Sequence, residues 1–164
     1  MADRLLTDVG GAEWDVAQEL TAFRAMLQRP GVAEMLVRSR YQDVSALGMP
    51  PAVQSVLAQH TLVPIVQNER SFAVHDGEQL LTGFVDRLVL LQHGSAVVAA
   101  EIVDYKTDVL AADQPQKLTE RAAFYAPQLN AYRRAVARLT RLAPDRIAAW
   151  LIFVEAGMAQ PVAP

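Results

Sequence analysis

Three side chains with the means for metal or acid–base chemistry fall inside one apolar stretch, Gln79 to Asp108, QLLTGFVDRLVLLQHGSAVVAAEIVDYKTD. They are Asp86, Asp104 and Lys106. A carboxylate in such surroundings is costly to bury unless a cation or hydrogen bonds compensate it. Residues two apart on a strand share a face, so Asp104 and Lys106 point the same way. Two carboxylates and an ammonium converging in an apolar sheet make a poor arrangement for stability alone. They suit an oxygen-loving divalent ion, with the lysine beside the water that the ion activates. The competing reading is a structural ion pair, Asp86–Lys106 or Asp104–Lys106, with Glu101 on a wet face.

The elements that would bring these groups together are two apolar runs, Leu80–Leu91 and Ala96–Tyr105, joined by Gln92-His93-Gly94-Ser95. Gly94 and Ser95 are turn formers and the flanks are rich in Val, Ile and Leu, so the pair reads as a β-hairpin. Pairing across the turn can carry Asp86 close to Asp104. Further on, Tyr125-Ala126-Pro127-Gln128-Leu129-Asn130-Ala131-Tyr132 places Gln128 and Tyr132 four apart, on one face of a helix. That face could reach a phosphate or base, or merely dock the helix on the sheet.

GFVDRL followed by EIVDYKTD resembles motifs II and III of the PD-(D/E)xK nucleases. With the Tyr-x-x-Gln-Leu-x-x-Tyr helix after them, the pattern is similar to the RecB-like nuclease domain at the C-terminus of AddA-type helicase–nucleases. The resemblance implies an α/β fold, a restriction-endonuclease-like core with a mixed β-sheet flanked by helices, after an N-terminal helical segment. It implies a Mg²⁺- or Mn²⁺-dependent, sequence-independent DNA exonuclease acting in double-strand-break repair and recombination. Asp86, Asp104 and the backbone carbonyl of Tyr105 would hold the metal, and Lys106 would serve catalysis. Gln128, Tyr132, Arg133 and Arg134 would contact the DNA. Partners would be the rest of a helicase–nuclease polypeptide and its companion subunit. Glu69, in Glu69-Arg70-Ser71-Phe72, fits the family's strand before the hairpin, as a neighbour of the metal site or as an ion pair with Arg70. The family's Gly-x-x-x-His helix has no counterpart here, and by its spacing to Glu69 it would fall before Met1. That gap supports an alternative: an inactive nuclease-like module that binds DNA or docks in a helicase complex.

The remaining signals set the frame. The 164 residues suffice for one substantial core, read as a helical segment over 1–61 and a nuclease core over 62–164. No signal peptide or membrane-spanning run is evident, which fits a cytoplasmic protein. The absence of cysteine excludes disulfides and cysteine-ligated metal centres, and no phosphate-binding Gly-x-x-x-x-Gly-Lys-Ser/Thr loop occurs. Net charge is −3, but Lys117 to Arg146 is locally basic, a strip suited to phosphates. Helices are expected over Glu13–Leu27, Val32–Arg38 and Pro51–Gln59, and strands over Leu62–Val74 and Asp145–Glu155. Lys117–Leu142 is expected to be two helices meeting near Pro127, or one starting there, because proline lacks the amide donor. The chain after Gly157 reads as a frayed end.

Overall fold

The Val- and Ile-rich segment before the hairpin joins it in an antiparallel meander: β1 (Val63–Asp76), β2 (Gln79–His93) and β3 (Ala96–Lys106). The structure is a computed structural model and describes residues 15–110 and 114–163. After β3 a long helix, α4 (Pro115–Thr140), returns the chain so that β4 (Ile147–Phe153) lies parallel to β3. Such a parallel pair needs a crossover of this kind. A short β5 (Met158–Pro161) pairs antiparallel with β4, so the chain after Gly157 closes the sheet edge instead of fraying. The result is a mixed five-stranded sheet in the order β1-β2-β3-β4-β5, flanked by helices. That α/β arrangement is consistent with the restriction-endonuclease-like fold.

Helices α1 (Val16–Leu27), α2 (Pro30–Leu36) and α3 (Pro51–Leu57) precede the sheet. Asp15 caps α1 by accepting from the amides of Ala17 and Gln18. The expected first residues of that helix, Glu13 and Trp14, lie outside the described residues.

Alternation along β3 divides the molecule into two faces. Ala100 and Ile102 point to α4, where they join Leu118, Ala122, Leu129 and Val136 in one core. Ala99 points the other way, against Tyr41, Leu47, Val53 and Leu57 of the N-terminal segment. That apolar stripe also explains why α4 runs through Pro127 unbroken. Leu118 and Ala122 on one side of the proline and Leu129 and Val136 on the other dock on the same sheet. Pro127 itself is exposed, so the missing amide hydrogen bond falls on the solvent side. Tertiary packing outweighs the local break.

Two corrections concern charge. Glu101 is on no wet face: it is fully buried under the N-terminal segment. Its Oε2 accepts from Arg40 Nη2 at 3.0 Å and its Oε1 from the Tyr41 hydroxyl at 2.8 Å. Burial still pushes the carboxyl above its ordinary range, with Arg40 pulling against it. Arg133, expected on DNA, is 4% exposed. Its guanidinium donates to the carbonyls of Ile147 at 2.9 Å and Val162 at 2.8 Å, tying α4 to β4 and to the chain just after β5. The basic strip is likewise spent in part on internal pairs. Arg134 meets Asp76 at 2.8 Å and Arg146 donates to the Val98 carbonyl at 3.1 Å.

Arg133→Ala should therefore lower unfolding stability by on the order of 2–3 kcal/mol, through carbonyls left buried and unpaired. Arg134→Ala, which loses only an exposed pair, should cost less than about 1 kcal/mol. Urea denaturation of the two variants side by side tests the ranking. Arg40→Ala should cost about 3 kcal/mol at neutral pH by stranding the Glu101 carboxylate. Because the Glu101 pKa is raised, protonation on acidification removes the stranded charge, so this loss should shrink as pH falls from 7 to 5. Denaturation at both pH values reads it.

Candidate active site

At the carboxyl end of β3 the even-numbered face carries Asp104 and Lys106, and β2 brings Asp86 beside them. The β2–β3 ladder ends at Arg87 and Val103. Beyond that pair the strands no longer bond backbone to backbone: the Tyr105 amide instead donates to Asp86 Oδ2 at 2.8 Å. A side chain thus replaces the next rung and anchors one carboxylate between the strands.

A second irregularity aims that carboxylate. The β1–β2 ladder keeps one register from end to end and omits only the position where Glu69 faces Asp86. Glu69 has φ +50°, in the left-handed region that costs most residues about 1 kcal/mol or more. On β2, Leu81 and Val85 point into the α4 core before this position, and Leu88 and Leu90 after it. Odd residues give way to even ones, so the strand changes its facing at Asp86–Arg87. Glu69 is exposed beside Asp86 in a cleft of about 500 Å³ that also reaches Arg87, Tyr105 and Phe23. Among the described residues it forms no ion pair with Arg70.

Lys106 is held from three directions. Its Nζ lies 2.6 Å from Asp104 Oδ2, donates to Gln128 Oε1 at 3.0 Å, and sits 4.1 Å above the Tyr125 ring. An ammonium has no acceptor, so the Gln128 group facing it must be the carbonyl oxygen. The Gln128 Nε2 then donates to the Tyr132 hydroxyl at 2.8 Å. Tyr132 therefore accepts through its oxygen and keeps its own proton free to donate. Burial first, and the charges of Asp104 and Asp86 after it, raise the Tyr132 pKa, which keeps the phenol protonated.

Gly83 explains how Tyr132 reaches the sheet. A Cβ there would stand 3.0 Å from Phe72 Cζ and 3.5 Å from Tyr132 Cε1. Without one, the two rings meet edge to face at 5.6 Å over the strand.

The structure also assigns positions that the sequence reading left without a role. Asp108 receives Arg121 Nε at 2.7 Å and the Tyr125 hydroxyl at 3.0 Å, and Arg121 Nη2 reaches that hydroxyl at 2.9 Å. This network fixes the ring beneath Lys106. Its signal was the period of two from Asp104 through Lys106 to Asp108, and the four-residue step from Arg121 to Tyr125. The histidines lie elsewhere: His60 and His93 stack at 4.3 Å at the opposite end of the β2–β3 ladder, and His75 pairs with Leu80 near the β1–β2 turn.

The donor set fits a hard divalent cation. Asp104 is 2% exposed, and the only cation in contact with it is the Lys106 ammonium, on Oδ2, among the described residues. The Asp104 pKa is raised, by burial first and by Asp86 as well, despite the opposing pull of Lys106. More positive charge beside these oxygens would relieve both effects, and oxygen-only donors select Mg²⁺ or Mn²⁺ over softer ions. Among the described residues no third carboxylate, histidine or cysteine joins Asp86 and Asp104 in a cluster. No helix there is long and apolar enough to cross a membrane.

Compared with known families, residues 1–163 match the PD-(D/E)XK nuclease superfamily. No curated protein matches the chain.

If Asp86 and Asp104 hold such an ion, millimolar Mg²⁺ or Mn²⁺ should raise the thermal unfolding midpoint, since a ligand that binds only the native state stabilises it. The Asp86→Asn, Asp104→Asn double variant should show no shift. An equal shift in parent and variant would place the ion elsewhere.

Proposed function

Because the chain belongs to the PD-(D/E)XK nuclease superfamily, we propose that it is a metal-dependent deoxyribonuclease, an exonuclease that hydrolyses phosphodiester bonds without reading base sequence. The observation that carries this is the pair of neighbouring carboxylates, Asp86 and the buried Asp104, beside an ammonium fixed on three sides. A purely structural ion pair would need only one of the two carboxylates.

Asp86, Asp104 and the Tyr105 carbonyl would hold Mg²⁺ or Mn²⁺. The chemistry such an ion supplies when bound is polarisation of a phosphoryl oxygen and a lowered pKa for water. Lys106, kept charged and oriented by Asp104 and Gln128, faces the negative charge that develops as water adds to phosphorus and the strand's ester oxygen departs. Its position is set before reaction, so little reorganisation is needed. Tyr132 offers its free hydroxyl proton to a phosphate oxygen, and Gln128 holds both Tyr132 and Lys106 in one line. Arg134 lies on the exposed side of α4, where exchange of its Asp76 partner for a phosphate costs little. Arg133 has no part in this, since its donors are committed to carbonyls.

The motifs Gly83-Phe84-Val85-Asp86-Arg87, Asp104-Tyr105-Lys106-Thr107 and Tyr125-x-x-Gln128 support a narrower setting. This is the nuclease domain of a helicase–nuclease acting in double-strand-break repair and recombination, assembled with the rest of that polypeptide and its companion subunit. The two-carboxylate cluster, with no histidine joining it among the described residues, favours the second reading, an inactive module that binds DNA or docks in a helicase complex.

Lys106→Ala decides between them. It should preserve the Mg²⁺-induced thermal shift and DNA affinity while cutting the hydrolysis of linear DNA by about 10²–10³-fold, the scale for losing one transition-state stabiliser. Circular single strands should resist the parent, as an exonuclease requires. DNA binding without any metal-dependent hydrolysis for Lys106→Ala to remove would leave the inactive module.

A further inference from the structure

Next to the α4 face that holds Lys106 stands a ring that the proposed chemistry does not use. Phe124 is 66% exposed, although an apolar ring of this size usually contributes most when buried. Its neighbours are the parts of the site. It meets Tyr125 edge to face, with centroids 5.1 Å apart, and the Lys106 ammonium lies 4.1 Å from the Tyr125 centroid. One turn earlier, the Arg121 guanidinium lies 4.8 Å from the Phe124 centroid and 5.0 Å from that of Tyr125. Arg121 does not wander: Asp108 and the Tyr125 hydroxyl hold it. Phe84 is similarly exposed, but it alternates away from Gly83 and Val85, which face α4. Phe23, also exposed, lines the cleft on the N-terminal-helix side, so among the described residues Phe124 is the exposed phenyl ring on the α4 side, beside Lys106.

We propose that Phe124, with the Arg121 guanidinium beside it, is a stacking platform for an unpaired nucleobase of the DNA strand whose phosphate is attacked at Lys106. The proposal rests on the nuclease reading and adds a substrate class to it: single-stranded DNA, or the frayed end of a duplex. A base within a duplex is stacked on both faces and shows only its edges, whereas an unpaired base has a free face for an aromatic ring. The charges agree. Arg121 and Lys117 present cations on this part of α4, and a guanidinium fixed beside a ring can lie against a base or bridge to its phosphate. Any base has such a face, so the platform needs no sequence preference.

The test uses the full chain in the Lys106→Ala background, where binding is separated from cleavage. The probes are a single-stranded oligonucleotide carrying 2-aminopurine near its end and a blunt duplex of the same sequence. Phe124→Ala should weaken single-strand binding roughly 5- to 100-fold, the scale of one lost base–aromatic stack. It should also abolish the quenching of 2-aminopurine and leave duplex affinity unchanged. Phe124→Trp should restore both affinity and quenching. Phe124 is exposed, so its variants should unfold at the parent's temperature. Unchanged single-strand affinity and quenching in Phe124→Ala, in a protein that still binds DNA and whose Lys106 form cleaves it, would overturn the platform alone. Absence of DNA binding before Phe124 is altered would overturn the nuclease reading and the platform together.

Discussion

The rest of the structure depends on keeping the Lys106 ammonium, half-buried at the end of β3, from standing unpaired. A buried charge stripped of its partner costs several kcal/mol, and each partner here comes from a different part of the chain. Asp104 arrives by strand alternation, and Gln128 and Tyr125 arrive on α4. The crossover helix must dock in one rotation and at one height to bring them. Asp108 fixes it at the near end through Arg121 and Tyr125, and Arg133 fixes it further along through the carbonyls of Ile147 and Val162. An unbroken helix through Pro127 follows from the same demand, since Tyr125 and Gln128 lie on either side of the proline.

The two faces of β3 show how burial alone fails to distinguish structure from chemistry. Glu101 and Asp104 are both buried, and burial raises the pKa of both. They differ in closure. Glu101 has a donor on each oxygen, from Tyr41 and Arg40, and its network is finished. Asp104 has a cation against one oxygen only, and a second carboxylate, Asp86, as its neighbour. The first arrangement secures the N-terminal segment to the sheet. The second leaves an electrostatic demand that an incoming cation can meet, as members of the PD-(D/E)XK nuclease superfamily generally do with divalent metals.

Asp86 reaches this position through a local defect. The opposed Glu69 and Asp86 drop out of an otherwise continuous ladder, and the facing of β2 changes there. Regular alternation through Val85 would have turned Asp86 away from α4. The left-handed backbone at Glu69 is the local strain that accompanies the change.

Local sequence determined a good deal. The hairpin was legible because Gly94-Ser95 separates two runs of strand formers, and β1, β4, α1, α2 and α3 because their period or capping residues are local. That Asp104 and Lys106 share a face was legible because alternation by two is a property of any strand, whereas Asp86 comes beside them only through the break in that alternation opposite Glu69. The whole-domain match to the nuclease superfamily agrees with the motifs that carry these residues. Only the tertiary structure decided the rest. Arg133 and Arg134 are adjacent arginines with no difference in type, yet a rotation of one residue on α4 buries the first and exposes the second. Glu101 reads as a solvated charge until Arg40 and Tyr41, some sixty residues earlier, close over it. Pro127 breaks a helix by local rule, and the packing of Leu118 through Val136 on the sheet overrides that rule. In each case the deciding energy comes from partners distant in sequence, which no window of neighbouring residues contains.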